Sequence, residues 1–191
     1  MCDELSSAAL DLLARNGFER TTIDRIAAAA GVSRRTFFHY FRSKEDAFVA
    51  KLVEMGSTLR AALADRPSSE PPATALRNAF EVFDPAHAPG GPAEALQLVT
   101  VTLTTPALRN VYLEWLREWR NALAAELARR DGVGSNDDLR YTLAAAVALA
   151  AFDAALTRWV DGAGAEPLGP LLDQTFALAS DTLNTARATH R

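Results

Sequence analysis

At 191 residues, 49% of them hydrophobic, the chain is long enough for one or two domains and too apolar to be disordered. A formal net charge of −4 excludes a general nucleic-acid coat protein, although a net figure hides where the charge sits. The lone cysteine, Cys2, excludes an intramolecular disulfide framework, and its place at the terminus does not suit a redox sensor.

Nearly every segment carries helical periodicity and none alternates at period two, so the expected fold is all-α, with about nine helices. The first runs from about Asp3 to Asn16, with Leu5, Ala9, Leu12 and Leu13 on one face and Gly17 as its stop; Phe18 then plugs a small core. Thr22 has the place of an N-cap for helix 2, with Asp24 facing the positive end of its dipole. Ala27 to Ser33 ends that helix at Gly31 and opens another at a serine cap, which makes a helix-turn-helix corner. Val32 and Phe37 have the spacing of a hydrophobic staple. On helix 3, Phe37 and Phe41 fall inward, while Arg35, Phe38, His39 and Arg42 fall outward. That outward set mixes guanidinium, imidazole and aromatic groups, which reach base edges and phosphates in a major groove.

Ser43 caps a long fourth helix, with Asp46 where a capping-box Glu usually sits and Phe48, Leu52, Met55, Leu59 and Leu63 along one side. The proline-rich stretch Asp65 to Pro72 then marks a boundary. Helices 5 (Ala73 to Phe83) and 6 (Ala93 to Leu103) are short, and helix 7 (Pro106 to Arg130) aligns Leu108, Tyr112, Trp115, Trp119 and Leu123 before the Gly132-Val133-Gly134 stop. Helix 8 starts at a Ser135-Asn136-Asp137 cap and reaches about Asp161; its run of alanines makes it slim and apolar nearly all round, so it needs cover on several sides. Helix 9, near Leu168 to Ala186, lines up Leu168, Leu172, Phe176, Ala179 and Leu183, with Leu172 and Phe176 expected to meet a second copy. The apolar run Leu143 to Phe152 is interrupted by Asp153 and is shorter than the roughly 18 residues of a membrane span, so no membrane partner is expected. Met-Cys-Asp-Glu also lacks the basic and apolar regions of a signal peptide, and the expected location is the cytoplasm.

Charge is divided along the chain. Arg15 to Lys44 holds seven Lys/Arg against Glu19 and Asp24, whereas residues 52–191 hold twelve Lys/Arg against seventeen Asp/Glu. A catalyst needs an assembled nucleophile, metal or acid/base set. Here His39, His87, His190 and Cys2 show no ligand spacing, so no enzyme activity, metal or cofactor is expected. A helical adaptor without DNA function, the competing reading, would have a neutral recognition face in place of Arg34, Arg35, His39 and Lys44.

Residues Leu5 to Leu52 closely resemble the tetracycline-repressor (TetR) family. The resemblance rests on the Gly17-Phe18 and Thr21-Thr22 entry, the Ala30-Gly31-Val32-Ser33 turn, the Thr36 to Phe41 run and Ser43-Lys44. It implies a helix-turn-helix domain over residues 1–47 and an effector-binding and dimerisation domain over 48–191. It also implies a homodimer closed by the last two long helices, here 8 and 9, on a palindromic double-stranded operator, and a repressor released by a hydrophobic small molecule. The Trp115 and Trp119 region is similar to actinobacterial members, some of which bind acyl-CoA thioesters. Many relatives carry a basic arm before helix 1; here two acidic residues precede Leu5, and arm contacts are not expected.

Matched to the family, Thr36 and Phe38 correspond to base-contacting positions and His39, Tyr40 and Lys44 to phosphate-contacting ones, with Ser33 opening the helix and Thr22 offering a hydroxyl to a further phosphate. Arg34 and Arg35 stand in a first turn where cations oppose the dipole, so a guanine contact explains them better than folding does. Phe80, Phe83, Tyr112, Trp115 and Trp119 are the candidates for lining an effector pocket. Asp153, a carboxylate on an apolar face, is open to a ligand or a dimer contact.

Overall fold

A computed structural model describes residues 1–88, 90–132 and 139–188, the last eight as backbone only. Nine α-helices account for most of them: α1 (Cys2–Asn16), α2 (Ile23–Ala29), α3 (Arg34–Tyr40), α4 (Lys44–Ala64), α5 (Pro72–Ala79), α6 (Gly91–Thr104), α7 (Pro106–Arg130), α8 (Leu139–Asp161) and α9 (Leu168–Ala188). No strand occurs among the described residues, as the periodicity requires.

The helix-turn-helix corner forms through its capping groups. At the end of α2 the Gly31 N–H donates to Ala28 O (3.1 Å) and the Val32 N–H to Ala27 O (2.9 Å), with Gly31 at φ +68°. That pair of bonds is a Schellman stop, whose left-handed residue a glycine adopts without a Cβ clash. Ser33 Oγ then accepts from the Thr36 N–H at 3.1 Å and starts α3. Phe37 is fully buried and Val32 packs against its cluster, as a staple should. Phe41 turns inward too, but as the extended residue that ends α3 and not from a helical turn.

Two cores result. A small one gathers Leu5, Ala9, Ile26, Ala27, Phe37, Phe41 and Ala47; a large one begins at the next residue, Phe48, and runs through α4 to α9. Helix α1 serves both, because Leu5 and Ala9 face the first while Leu10 and Leu13 face the second. The α1–α4–α6 packing thus joins the head to the rest of the molecule.

Several expectations need correction. Helix 5 does not continue to Phe83: the chain tightens into a 3₁₀ turn over Phe80–Phe83, in which residues three apart eclipse, so both rings point to the same side, 6.3 Å apart. Asp46 does not return to the Ser43 N–H in a capping box; its carboxylate accepts from the Arg42 N–H (3.0 Å) and Arg42 Nε (3.2 Å). Together these bonds hold it below the usual carboxylate range against the opposing effect of partial burial. Leu172 is not left for a second copy, and Phe176, half-buried, only in part. The turn after Asp161 folds α9 back along α8, which buries Leu172 and brings Phe176 to 5.8 Å from the Phe80 ring. Helix α8, taken whole, is long and apolar enough to cross a membrane by length and composition, contrary to the reading of its central run; here it packs between α7 and α9. The Ser135-Asn136-Asp137 cap, Gly134, His190 and the Leu183 side chain lie outside the described residues.

Candidate nucleic-acid interface and buried cavity

The outer face of α3 presents Arg34, Arg35, Phe38, His39 and Tyr40 to solvent, with Phe38 45% and Tyr40 44% exposed. Arg34 is already employed: its Nη1 donates to both carboxylate oxygens of Asp24 (2.9 and 2.8 Å) and its guanidinium lies 5.3 Å from the Phe38 ring. The pair ties α3 to α2. Arg35, one residue on, is exposed and bonds to nothing among the described residues, so its fork is free for a base or a phosphate. His39 and Tyr40 meet edge to face at 5.2 Å.

The hydroxyls have local work. Thr22 Oγ1 accepts from the Arg25 N–H at 3.3 Å, and Ser33 Oγ and Thr36 Oγ1 lie 2.8 Å apart. Lys44 reaches across to the loop before α2, where its ammonium donates to Phe18 O (2.7 Å) and Thr21 O (3.1 Å) and sits 3.7 Å from the Phe18 ring centroid. Two of its three N–H groups are thereby used inside the chain, and one is left over. Thr21, part of the entry motif, is buried and its hydroxyl donates to Gly17 O at 2.9 Å, which shapes the loop that Lys44 holds.

Within the large core a cavity of about 600 Å³ opens among α1, α4, the 3₁₀ turn, α6, α7 and α8. Of the candidates, Phe83, Tyr112 and Trp119 line it, and Phe80, Trp115 and Asp153 do not. Phe80 is turned into the closed core, where it stacks on Phe152 with centroids 4.7 Å apart. Asp153 is half-buried and pairs instead with Arg109 at 3.6 Å, beside the Tyr112 hydroxyl but without an aligned hydrogen bond to it. Burial above all, and then the Asp153 charge, push that hydroxyl up and keep it protonated. α5 itself contributes no lining residue, whereas α1 and α4, which the sequence reading had not placed at a pocket, contribute Leu10, Ala14, Leu52 and Met55. Helix α6 adds Ala95, Leu98, Val99 and Thr102, a stripe at helical spacing whose apolar members stay only half-buried because they face a void.

Trp119 joins the cavity to α4. Its indole stacks on Phe83 at 5.8 Å, and its Nε1 donates to the main-chain oxygen of Leu52 at 3.1 Å in the buried interior. The ring lies so close to Gly56 that a Cβ there would fall well inside contact distance of the indole. At the end of α4, Arg130 donates to Leu63 O (3.1 Å) and to Arg66 O (2.6 Å) and Pro67 O (2.8 Å) just beyond it, which ties α7 to the close of α4. α4 is therefore clamped at one end and touched at its middle by a cavity wall.

Two family profiles match the chain: "Bacterial regulatory proteins, tetR family" over residues 5–50 and "MftR C-terminal domain" over 70–184. The protein belongs to the TetR family of transcriptional regulators. Among its TetR relatives, the transcriptional regulator TcmR of Streptomyces glaucescens is 35% identical over 150 residues, which are 76% of this chain and 66%, just under two thirds, of that protein. The putative mycofactocin biosynthesis regulator MftR of Mycobacterium tuberculosis is 31% identical over 155 residues, 78% of this chain and 76% of MftR. In fold, the chain superposes on FadR from Bacillus subtilis, solved with stearoyl-CoA, with a TM-score of 0.63 at 21% identity, over 92% of this chain and 96% of that one. The fold of helix-turn-helix head and helical C-terminal domain is shared with that structure, and the chain is a helix-turn-helix transcriptional regulator by family.

Proposed function

We propose that this regulator is a homodimeric repressor that leaves its operator when a hydrophobic molecule fills the cavity. The observation that carries the reading is the composition of the cavity wall: α1 and α4, which support the head, line it alongside α6, α7 and α8. A ligand there touches the DNA-binding unit directly, so occupancy and head position share one set of contacts. Residues 1–47 act as the DNA-binding domain and 48–191 as the effector and dimerisation domain, in the cytoplasm.

On DNA, α3 enters the major groove. Arg35 reads a base, Phe38 packs on a thymine methyl, and Thr36 and Arg34 reach the same groove edge. His39, Tyr40, Thr22 and the remaining N–H of Lys44 meet phosphates. Two copies join through α8 and α9 into a four-helix contact. In place of Leu172 and Phe176, the stripe Leu143, Val147, Ala150 and Ala154 on α8 supports this, since all four are exposed or half-exposed on the side of α8 turned from the core. Half-sites then stand about one helical turn apart or a little more.

Release works through α4. With Arg130 holding the segment at Leu63, the Trp119 contact at Leu52 to Gly56 lies roughly 10 to 16 Å from that pivot and Lys44 roughly 28 Å, at about 1.5 Å per residue. A shift of about 1 Å at Trp119 becomes about 2 Å at Lys44 and changes the separation of the two α3 helices. Typical coupling of about 1 to 3 kcal/mol lowers DNA affinity about 5- to 150-fold. Hydrophobic compounds titrated against the protein on a duplex selected from random sequence, with tryptophan fluorescence and DNA anisotropy followed together, test this. Ligand-induced fluorescence change with release is expected; quenching at unchanged DNA affinity sinks the lever.

A further inference from the structure

The polar groups around the cavity mouth indicate which end of an effector it accepts, given that the cavity is the effector site as proposed above. The exposed polar members of the lining, Ser7, Asp11 and His87, with Val82 and Gly90 beside them, mark that mouth between α1 and the segment leading into α6. Three carboxylates line the cavity, Asp11, Asp84 and Glu94, against one Lys or Arg, Lys51. Lys51 is held by Glu54 at 2.6 Å, and Arg15, the nearest guanidinium on α1, by Glu94 at 3.6 Å. His87 lies 3.7 Å from Asp84. Asp11 alone of these charges has no partner among the described residues. Deeper in, the wall is aromatic and aliphatic, a setting in which an unpaired carboxylate or phosphate is strongly disfavoured.

We infer that the cavity takes a hydrophobic molecule whose polar end is uncharged or cationic, with Asp11 meeting that end, and that it discriminates against polyanionic heads such as a coenzyme A thioester. A free carboxylate at the entrance attracts a cation and repels phosphates, and both effects weaken as salt rises. Among the described residues that line the cavity, no unpaired Lys or Arg is present to repay the desolvation of a pyrophosphate.

Calorimetry with three probes that share a twelve-carbon chain, dodecanol, dodecyltrimethylammonium and lauroyl-CoA, separates head from tail. At low salt the first two are expected to bind at least about tenfold tighter than lauroyl-CoA. Asp11→Asn should weaken the ammonium several-fold and leave dodecanol unchanged, and added salt should shrink the ammonium's advantage. Lauroyl-CoA binding as tightly as the other two overturns the inference alone, and an ammonium affinity indifferent to Asp11→Asn removes Asp11 from it. Leu98→Trp, which fills the cavity from α6, should abolish binding of all probes. Should no probe bind, or should Leu98→Trp change nothing, the effector site itself is elsewhere and the inference falls with it.

Discussion

The head and the helical domain bury their apolar side chains in different ways. Seven residues, two of them phenylalanines, close the head core, and most of its turns are fixed by bonds within a few residues: the Gly31 stop, the Ser33 and Ser43 caps and the Thr21 to Gly17 bond. In the large core, contacts span the chain, such as Trp119 to Leu52 and Arg130 to Leu63, and the packing leaves a hole. Closed local packing suits a unit that must present α3 in one geometry. Incomplete long-range packing suits a unit that must change state when something fills it.

The strongest test of that contrast is Phe37→Ala, which empties the closed core and should cost about 3 to 5 kcal/mol of head stability. Operator binding should vanish. The fluorescence of Trp115, Trp119 and Trp159, all outside the head, should still report ligand; loss of both signals together would mean that the two cores fold as one. Gly56→Ala comes next. The added Cβ meets the Trp119 indole, and overpacking of this kind costs about 1 to 3 kcal/mol. It should lower the melting temperature and weaken operator binding in the absence of ligand, because it pushes α4 from α7. A variant that melts lower at unchanged DNA affinity would detach Trp119 from the lever.

On DNA, Arg35→Ala should cost about 1 to 3 kcal/mol and relax preference at one base position, as read by selection from random duplexes. Lys44→Ala should weaken binding to all sequences and reduce the salt slope by about 1. Its bonds to Phe18 O and Thr21 O add a stability loss visible in the melting curve without DNA. The smallest effect belongs to the hole. Leu98→Ala, on a side chain that faces empty space, should cost less than the roughly 2 to 5 kcal/mol of a closed-core leucine. A thermal scan showing the full penalty would mean that the cavity wall is packed as tightly as the head.

Much of this molecule was legible along the chain. The corner at Gly31 and Ser33, the cap at Ser43 and the stripe of α4 all follow from groups within about four residues of one another, where helix geometry alone fixes who meets whom. Even the α6 lining could have been read from the spacing of Ala95, Leu98, Val99 and Thr102. Tertiary structure alone decided the rest: that Asp24 takes Arg34 and leaves Arg35 free, that Lys44 holds the Phe18 to Thr21 loop, that Phe80 and Trp115 turn away from the cavity while Phe152 and Trp159 line it, and that only a glycine fits at 56 beneath Trp119. Helical spacing tells which residues share a face. Which neighbour that face meets, and whether the space between is filled, depends on helices 67 residues apart, as Leu52 and Trp119 are, being brought to one place.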